Sequence, residues 1–301
     1  MAFQHVRLIV NPAAGTANTI LNTTSAVFNS YDMKWSVDVT HQDGDGARLA
    51  AEAIDDGADL IVAYGGDGTI KDVANGLLEH DVPLAILPGG TGNALSYKLN
   101  IPQDLRAALE LIVSDYAERA VDLGQVTCGD EAETQGYFLL RTNIGVQNDI
   151  LEKASRDLKN RFGNLAYIFA AVESLTGTDT MAYHLCIDEE EDKTLEGVAC
   201  MIANAVTIGG GAAFDFAPDV RVDDGVLDAF VFEPQSSQIM AVIKSHLDAD
   251  LGQFPGHYTG RRFVVKTDDP QPISIDGENL GHTPATIDVI SDAMRVLVPK
   301  E

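Results

Sequence analysis

The stretch Leu60-Ile61-Val62-Ala63-Tyr64-Gly65-Gly66-Asp67-Gly68-Thr69-Ile70-Lys71-Asp72-Val73-Ala74 decides the fold class. Its first five residues are uninterrupted apolar side chains, the signature of a strand covered on both faces. Glycines follow. Ile70, Val73, Ala74, Leu77 and Leu78 then recur at helical spacing, which predicts a helix over 69–79. Strand, glycine loop and helix in that order form the opening of a parallel α/β unit.

Working outward, the same rhythm repeats. Val6 to Val10 is an apolar run ending at Asn11-Pro12. Residues 17–31 carry Ile20, Leu21, Val27, Phe28 and Tyr31 as a helical stripe. Trp35, Val37 and Val39 alternate as a strand. Residues 45–56 read as a helix through Ala47, Ala50, Ala51 and Ile54. Leu84 to Leu87 is a fourth strand, and two further helices run to about Asp115. The expectation is an open α/β sheet with helices on both faces.

After Val121-Asp122-Leu123-Gly124 the pattern changes. Tyr137 to Val146, Met181 to Asp188, Leu195 to Ile208, Val226 to Phe232, Arg262 to Thr267, Ile273 to Asp276 and Thr286 to Ile290 read as strands. Helices are fewer, one or two within 147–175 and one near 236–247. This half is expected to be a mainly antiparallel β-sandwich. Residues 1–122 form the first domain in this reading and 123–290 the second.

The 301 residues include 46 Asp plus Glu against 20 Lys plus Arg, a formal charge of −26. Asp outnumbers Glu 31 to 15, and Lys is only 9. Nucleic acid is excluded as a partner, because a phosphate backbone demands cationic contacts. Lasting attachment to an anionic membrane is repelled in dilute buffer. The surface resembles that of proteins from salt-loving organisms: near 1 M salt the Debye length is about 3 Å, which screens self-repulsion. The N-terminus Met1-Ala2-Phe3-Gln4-His5 lacks a leader pattern, and no apolar run reaches membrane-spanning length, so a cytoplasmic protein is expected. Cys128, Cys186 and Cys200 have no metal-ligand spacing and read as reduced thiols.

Three glycine clusters in the first half each lie between a strand and a helix, where open α/β sheets bind ligands. Asn11-Pro12-Ala13-Ala14-Gly15 is the first, Gly65-Gly66-Asp67-Gly68-Thr69 the second, and Pro88-Gly89-Gly90-Thr91-Gly92-Asn93 the third. Helix N-termini there present unpaired N–H groups to an anion. Thr69 can cap its helix or touch a phosphate. No Lys follows the glycines as it would in a GxxxxGK[ST] loop, and GxGxxG is absent. The two Gly/Thr loops are expected to face one another across a polyphosphate held by backbone N–H groups, hydroxyls and a metal.

Taken with Asn75-Gly76-Leu77 and with a second-half series, these clusters resemble the diacylglycerol kinase catalytic family, which includes bacterial diacylglycerol kinases and sphingosine kinases. That series is Asn204, Gly209-Gly210-Gly211, Ala217-Pro218, Asp223-Asp224-Gly225-Val226-Leu227-Asp228 and Ile275-Asp276-Gly277-Glu278. Gly65 to Thr69 alone is shared with NAD kinases and phosphofructokinases; all the motifs in order are specific. The resemblance implies an α/β nucleotide domain followed by a β-sandwich lipid domain, with about 291–301 returning to the first. It implies ATP contacts at Asn11, Pro12, Ala13, Ala14, Gly15, Thr40, Gly65, Gly66, Asp67, Gly68, Thr69, Lys71, Asp72, Gly90, Thr91, Gly92 and Asn93. It implies a structural Mg²⁺ on Asp224 with the carbonyls of Arg221 and Val226. It makes Glu278 the proton acceptor and Asp67 an acid required for activity. Two departures stand out. Lys71-Asp72 replaces a common Asn-Glu, and Ala94 stands where Asp is frequent. Lys71 is either a phosphate clamp or a solvated first-turn residue.

Phosphoryl transfer to a hydroxyl requires alignment, charge neutralisation and a proton acceptor. Asp276 and Glu278, two residues apart around Gly277, would share a face on an extended strand. Both are candidate acids for the proton. The apolar segment Phe162 to Leu175 can line an acyl channel or simply be core, and Gly209-Gly210-Gly211 can wall a lipid cleft or form a bulge. The expected function is ATP-dependent phosphorylation of a hydroxyl on a diacylglycerol-like lipid, reached by transient membrane contact at the periphery. A kinase of a soluble acceptor such as NAD, and a non-catalytic nucleotide- or lipid-binding regulator, are the alternatives. A homodimer is compatible with the sequence and not decided by it.

Overall fold

Strand β1 (His5–Val10) pairs in parallel with β2 (Lys34–Val39) on one side and with β3 (Leu60–Gly65) on the other, and β3 pairs in parallel with β4 (Leu84–Pro88). The register sets Val6 beside Leu60, Leu8 beside Val62 and Ile61 beside Leu84. The computed structural model describes residues 3–15, 20–114, 116–129, 134–145, 180–208, 214–215, 217, 219–232 and 256–300. The expected helices within 147–175 and near 236–247, the segment Phe162 to Leu175, Gly209-Gly210-Gly211 and Pro218 lie outside these residues.

The chain divides into two compact units. The first comprises Met1–Asp122, Thr207–Phe214 and Asp292–Glu301. Five helices surround its sheet: α1 (Ile20–Ser30), α2 (Asp45–Asp55), α3 (Asp67–Asn75), α4 (Ala94–Lys98) and α5 (Leu105–Val113). α1 packs against α5 and α2 against α3. All six residues of β3 are buried, as a strand covered on both faces requires. Ile20, Val27, Phe28, Leu109 and Ile112 close over Leu8, Val62 and Leu87. Each such side chain contributes about 1.5–3 kcal/mol on full burial.

The buried stripe of α1 is Ile20, Thr24, Val27 and Phe28, at i, i+4, i+7 and i+8. Leu21 and Tyr31 belong to no core: they are 48% and 55% exposed. In α2 the buried positions are Asp45, Gly46, Leu49, Ala50 and Ala53, so of the expected Ala47, Ala50, Ala51 and Ile54 only Ala50 is fully buried. α3 starts at Asp67, two residues earlier than its apolar spacing indicates, because Gly66 already serves as the N-cap.

The second unit comprises Leu123–Val206 and Asp215–Ser291. Its strands are β6 (Thr134–Phe138), β7 (Arg141–Ile144), β8 (Met181–Ile187), β9 (Glu191–Gly197), β10 (Ala199–Ala203), β13 (Leu227–Phe232), β14 (His257–Gly260), β15 (Arg262–Thr267), β16 (Pro272–Ile275) and β17 (Glu278–His282). The short β11 (Thr207–Ile208) and β12 (Phe214–Asp215) pair with each other. β5 (Tyr116–Cys128) and β18 (Ala285–Pro299) each begin in one unit and end in the other.

One antiparallel sheet runs β14-β13-β10-β7-β16-β17. The other carries β15 between β8 and the first half of β18, with β9 beyond β8. Val126, Phe138, Leu185, Ile202, Ala229, Phe263, Ile275 and Ile287 fill the sandwich core. The second half of β18 pairs in parallel with β4, Val296 beside Leu84.

Three strand expectations change. Tyr137 to Val146 breaks at Leu139-Leu140 into β6 and β7, and Leu195 to Ile208 separates into the end of β9, β10 and β11. Thr286 to Ile290 is a fragment of the 15-residue β18. β5 escaped notice because Glu118 and Asp122 interrupt its apolar pattern. Glu118 pairs with Arg295, and buried Asp122 accepts the N–H of Asp292 at 2.8 Å.

Candidate functional site

The loops after β1, β3 and β4 are built from one another. Asn11 donates its backbone N–H to the Tyr64 carbonyl at 3.0 Å. Its Oδ1 accepts the Ala13 N–H at 2.9 Å, and its Nδ2 donates to Thr69 Oγ1 at 2.9 Å. The first loop is thereby tied to the first turn of α3. Gly15 has φ 58, and a Cβ there would collide with Tyr64 Oη. The same Tyr64 ring lies 3.0 Å from where a Gly89 Cβ would stand. Tyr64 is only 5% exposed, so it forms a floor beneath both loops. Its apolar run marks it only as strand, and its role as a floor is a three-dimensional fact.

The second and third loops touch through bare backbone. A Cβ on Gly90 would stand 2.5 Å from the Gly66 Cα, and one on Gly66 would stand 3.3 Å from the Gly90 Cα. The two loops therefore meet directly at this point rather than facing across a gap. Gly89 donates to the Gly65 carbonyl at 2.8 Å. Asn93, at φ 54, embraces Gly90: its Oδ1 accepts the Gly90 N–H at 2.9 Å and its Nδ2 donates to the Gly90 carbonyl at 3.0 Å. Asp67 Oδ1 accepts the Leu95 N–H at 3.2 Å, binding the start of α3 to α4.

These bonds sort the expected nucleotide contacts. The N–H groups of Gly90 and Leu95 are consumed within the loop, and Asn93 is a brace. Thr69 is the third residue of α3 and not its cap. Asp72 turns away to α2, where its Oδ2 accepts the Gly46 N–H at 2.8 Å. Lys71 is 6% exposed and so is not solvated. Thr40 is held by its N–H to the Val10 carbonyl at 3.0 Å. Pro12, Ala13, Gly15, Gly68 and Thr91 form the exposed rim. The opening N–H groups of α3, at Asp67, Gly68 and Thr69, have no partner within the helix by its geometry and carry its positive end. An anion placed there meets aligned donors without a side-chain cation.

In the second unit, Asp276 (φ 46) and Gly277 (φ 93) make the two-residue left-handed turn between β16 and β17. The Asp276 carboxylate accepts three backbone N–H groups: Leu139 at 2.7 Å, Leu140 at 3.0 Å and Arg141 at 2.9 Å. Asp276 also donates its own N–H to the Arg141 carbonyl at 2.9 Å. Asn204 grips the same break from β10, its Nδ2 donating to the Leu139 carbonyl at 3.0 Å. Both motif residues therefore fix the Leu139–Arg141 step. Asp276 and Gly277 form a tight turn rather than an extended strand, and the turn separates Asp276 from Glu278. Asp276 is committed to backbone amides, while Glu278 is exposed at the head of β17.

Asp224 is exposed, and its Oδ1 accepts the Val226 N–H at 3.3 Å across Gly225. The Arg221 side chain pairs with Asp223 at 3.0 Å. Among the described residues no group of three or more His, Cys, Asp or Glu side chains gathers as a metal cluster. One carboxylate with turn carbonyls nevertheless fits a hard, oxygen-liganded cation that keeps several waters.

Burial pushes the Cys200 thiol up to about 12 and raises Cys128, while the hydrogen bond that the Cys186 thiol donates to the Asp192 carboxylate raises Cys186. All three are free.

The sequence profile of the diacylglycerol kinase catalytic domain matches residues 5–126, and that of the YegS C-terminal NAD kinase beta sandwich-like domain matches residues 143–298. An uncharacterized protein of Synechocystis sp. is 33% identical over 253 residues, covering 82% of this chain but only 56% of the cyanobacterial protein. A Staphylococcus haemolyticus protein provisionally named a lipid kinase is 30% identical over 83% of this chain and 80% of its own. A crystal structure from Bacillus anthracis, provisionally described as a diacylglycerol kinase, superimposes with a TM-score of 0.79 at 28% identity, covering 99% of this chain and 98% of that one. Yeast NADH kinase shares the fold alone, with a TM-score of 0.55 at 14% identity over 100% of this chain and 84% of that one.

Proposed function

The chain belongs to the diacylglycerol kinase catalytic family, and from that premise we propose that it transfers the γ-phosphate of ATP to a hydroxyl of a diacylglycerol-like lipid. The observation that carries the reading is the backbone junction of Gly66 and Gly90 beside the opening N–H groups of α3. A side chain at either glycine would push the two loops apart and displace the start of α3.

In this reading the opening amides of α3 and the rim at Ala13, Gly15 and Thr91 receive the polyphosphate. Asp67 holds the α3 and α4 termini in register through Leu95. The acceptor hydroxyl oxygen bonds to the γ-phosphorus, the bond from that phosphorus to the β–γ bridging oxygen breaks, and ADP leaves. The hydroxyl proton passes to the Glu278 carboxylate, whose exposure keeps it accessible. Asp276 is a positioning residue that fixes the turn carrying Glu278. Asp224, with the Arg221 and Val226 carbonyls, would hold Mg²⁺, and a divalent cation supplies neutralisation of phosphate charge when bound. The lipid is reached by transient contact with a membrane surface. Among the described residues no helix is long and apolar enough to cross one.

The test is a transfer assay with γ-labelled ATP and Mg²⁺ against a panel of neutral and polar lipids, with NAD as a soluble acceptor, at several salt concentrations. Labelled lipid supports the reading. Labelled NAD with unlabelled lipid overturns it.

A further inference from the structure

We propose that the face of the second sheet turned away from the sandwich core binds a phosphate group at β7 and β16, with Arg141 as its cation and Ser274 and Asn143 as its hydroxyl and amide partners.

Strand alternation defines this face. Ile144 on β7 and Ile273 and Ile275 on β16 point into the core. Arg141, Asn143 and Ser274 therefore point the other way. Ser274 stands directly opposite Asn143, and Asn143 opposite Met201 on β10. Arg141 lies two residues along, diagonal to Ser274 at about 7–8 Å between Cα atoms. That spacing suits two groups that hold different oxygens of one tetrahedral anion.

Two separate atoms on this face lack partners. Arg141 Nη1 and Ser274 Oγ are both shielded from solvent and form no hydrogen bond. Ser274 as a whole is 1% exposed. A donor left so costs far more than one that is paired, so a ligand that satisfies both has a ready gain. Six other described arginines are paired. Arg7, Arg48, Arg106, Arg221, Arg262 and Arg295 each reach a carboxylate. With 46 acidic residues available, Arg141 has no side-chain partner among the described residues. It is also pinned at its backbone, through the Asp276 carboxylate and the bond from the Asp276 N–H. A guanidinium fixed at its root, with a shielded and unpaired nitrogen, is a group that an oxygen of a phosphate satisfies.

The choice of phosphate over carboxylate rests on the proposed kinase reaction, which offers two sources of that chemistry. One is the terminal phosphate of the nucleotide, and the other is a phosphodiester headgroup on the acceptor lipid. Binding is measured by calorimetry on the full chain, so the test needs no turnover and stands apart from the transfer assay. The probes are inorganic phosphate, ATP, dihexanoyl phosphatidylglycerol and the phosphate-free dihexanoylglycerol. Arg141→Gln is expected to weaken inorganic phosphate about ten- to a hundredfold, the range for a charged hydrogen-bond partner, and Ser274→Ala severalfold. A matching loss for the phosphatidylglycerol probe alone names the lipid headgroup as the source, and a matching loss for ATP alone names the nucleotide. Both outcomes support the site. The proposal is overturned if a folded Arg141→Gln protein binds all three phosphate-bearing probes within twofold of wild type. It is overturned equally if the variant loses phosphate-free dihexanoylglycerol to the same degree, since Arg141 would then act only on structure.

Discussion

Two turns in this protein handle backbone amides in opposite ways. At Gly66–Gly90 two loops meet without side chains, beside the opening N–H groups of α3, which helix geometry leaves without a partner inside the helix. At Leu139–Arg141 a carboxylate is drawn in from Asp276 and consumes three N–H groups at 2.7–3.0 Å. In the proposed function the first turn receives an anion. The second already contains its anion, as a side chain. An acidic residue in a motif is therefore not a proton acceptor merely by being there. What it can do depends on how its oxygens are placed: the Asp276 carboxylate is held by three backbone amides, while Glu278, two residues away, is exposed.

Several substitutions would break or sharpen that contrast. Glu278→Gln should have the largest effect, lowering kcat about 10²- to 10⁴-fold, the range for loss of a general base. Because Glu278 is exposed, its unfolding free energy should stay within about 0.5 kcal/mol of wild type. Equal transfer rates would deny it the proton. Asp276→Ala should show the reverse signature. Three amides lose a charged acceptor, and denaturant unfolding should report a loss of about 3–5 kcal/mol, with Asp276→Asn intermediate. A neutral effect on stability would mean that the brace is ornamental.

Gly90→Ala comes next, at about 1–3 kcal/mol of overpacking against Gly66, together with weakened nucleotide binding measured by calorimetry. The smallest change is expected at Asp45, whose carboxyl sits below its usual range because the His41 N–H and the Arg48 guanidinium hold the charged form. A depressed folded value adds stability above the ordinary Asp range and loses it as pH falls through the folded value. Asp45→Asn should therefore lower stability slightly near neutrality, with the difference from wild type vanishing as pH falls through the folded value, as pH-dependent denaturant unfolding would show.

The first unit was easy to read because its physics is local. β3 is covered on both faces, so Leu60 to Tyr64 is apolar throughout, and the glycines after it mark the loop. The α/β class and the place of the phosphate loops follow from that alone. What the chain hides is tertiary. Nothing near Tyr64 announces that its ring supports two loops, and nothing near Asp72 announces its bond to Gly46. In the second unit, Leu139-Leu140 looks like unbroken strand, and Asp276, 136 residues from Leu140, explains the interruption together with Asn204. Long β5 was obscured by Glu118 and Asp122, whose partners Arg295 and Asp292 come from the far end of the sequence. Charges that read as boundaries were satisfied pairs.

The most direct trial is the fate of the label from γ-labelled ATP when wild type and Glu278→Gln are incubated with Mg²⁺ and extracted lipids. Label should migrate with a lipid for wild type and fall at least a hundredfold for the variant, with nucleotide affinity the same for both. Label that stays in ATP and inorganic phosphate with every lipid offered would contradict the account.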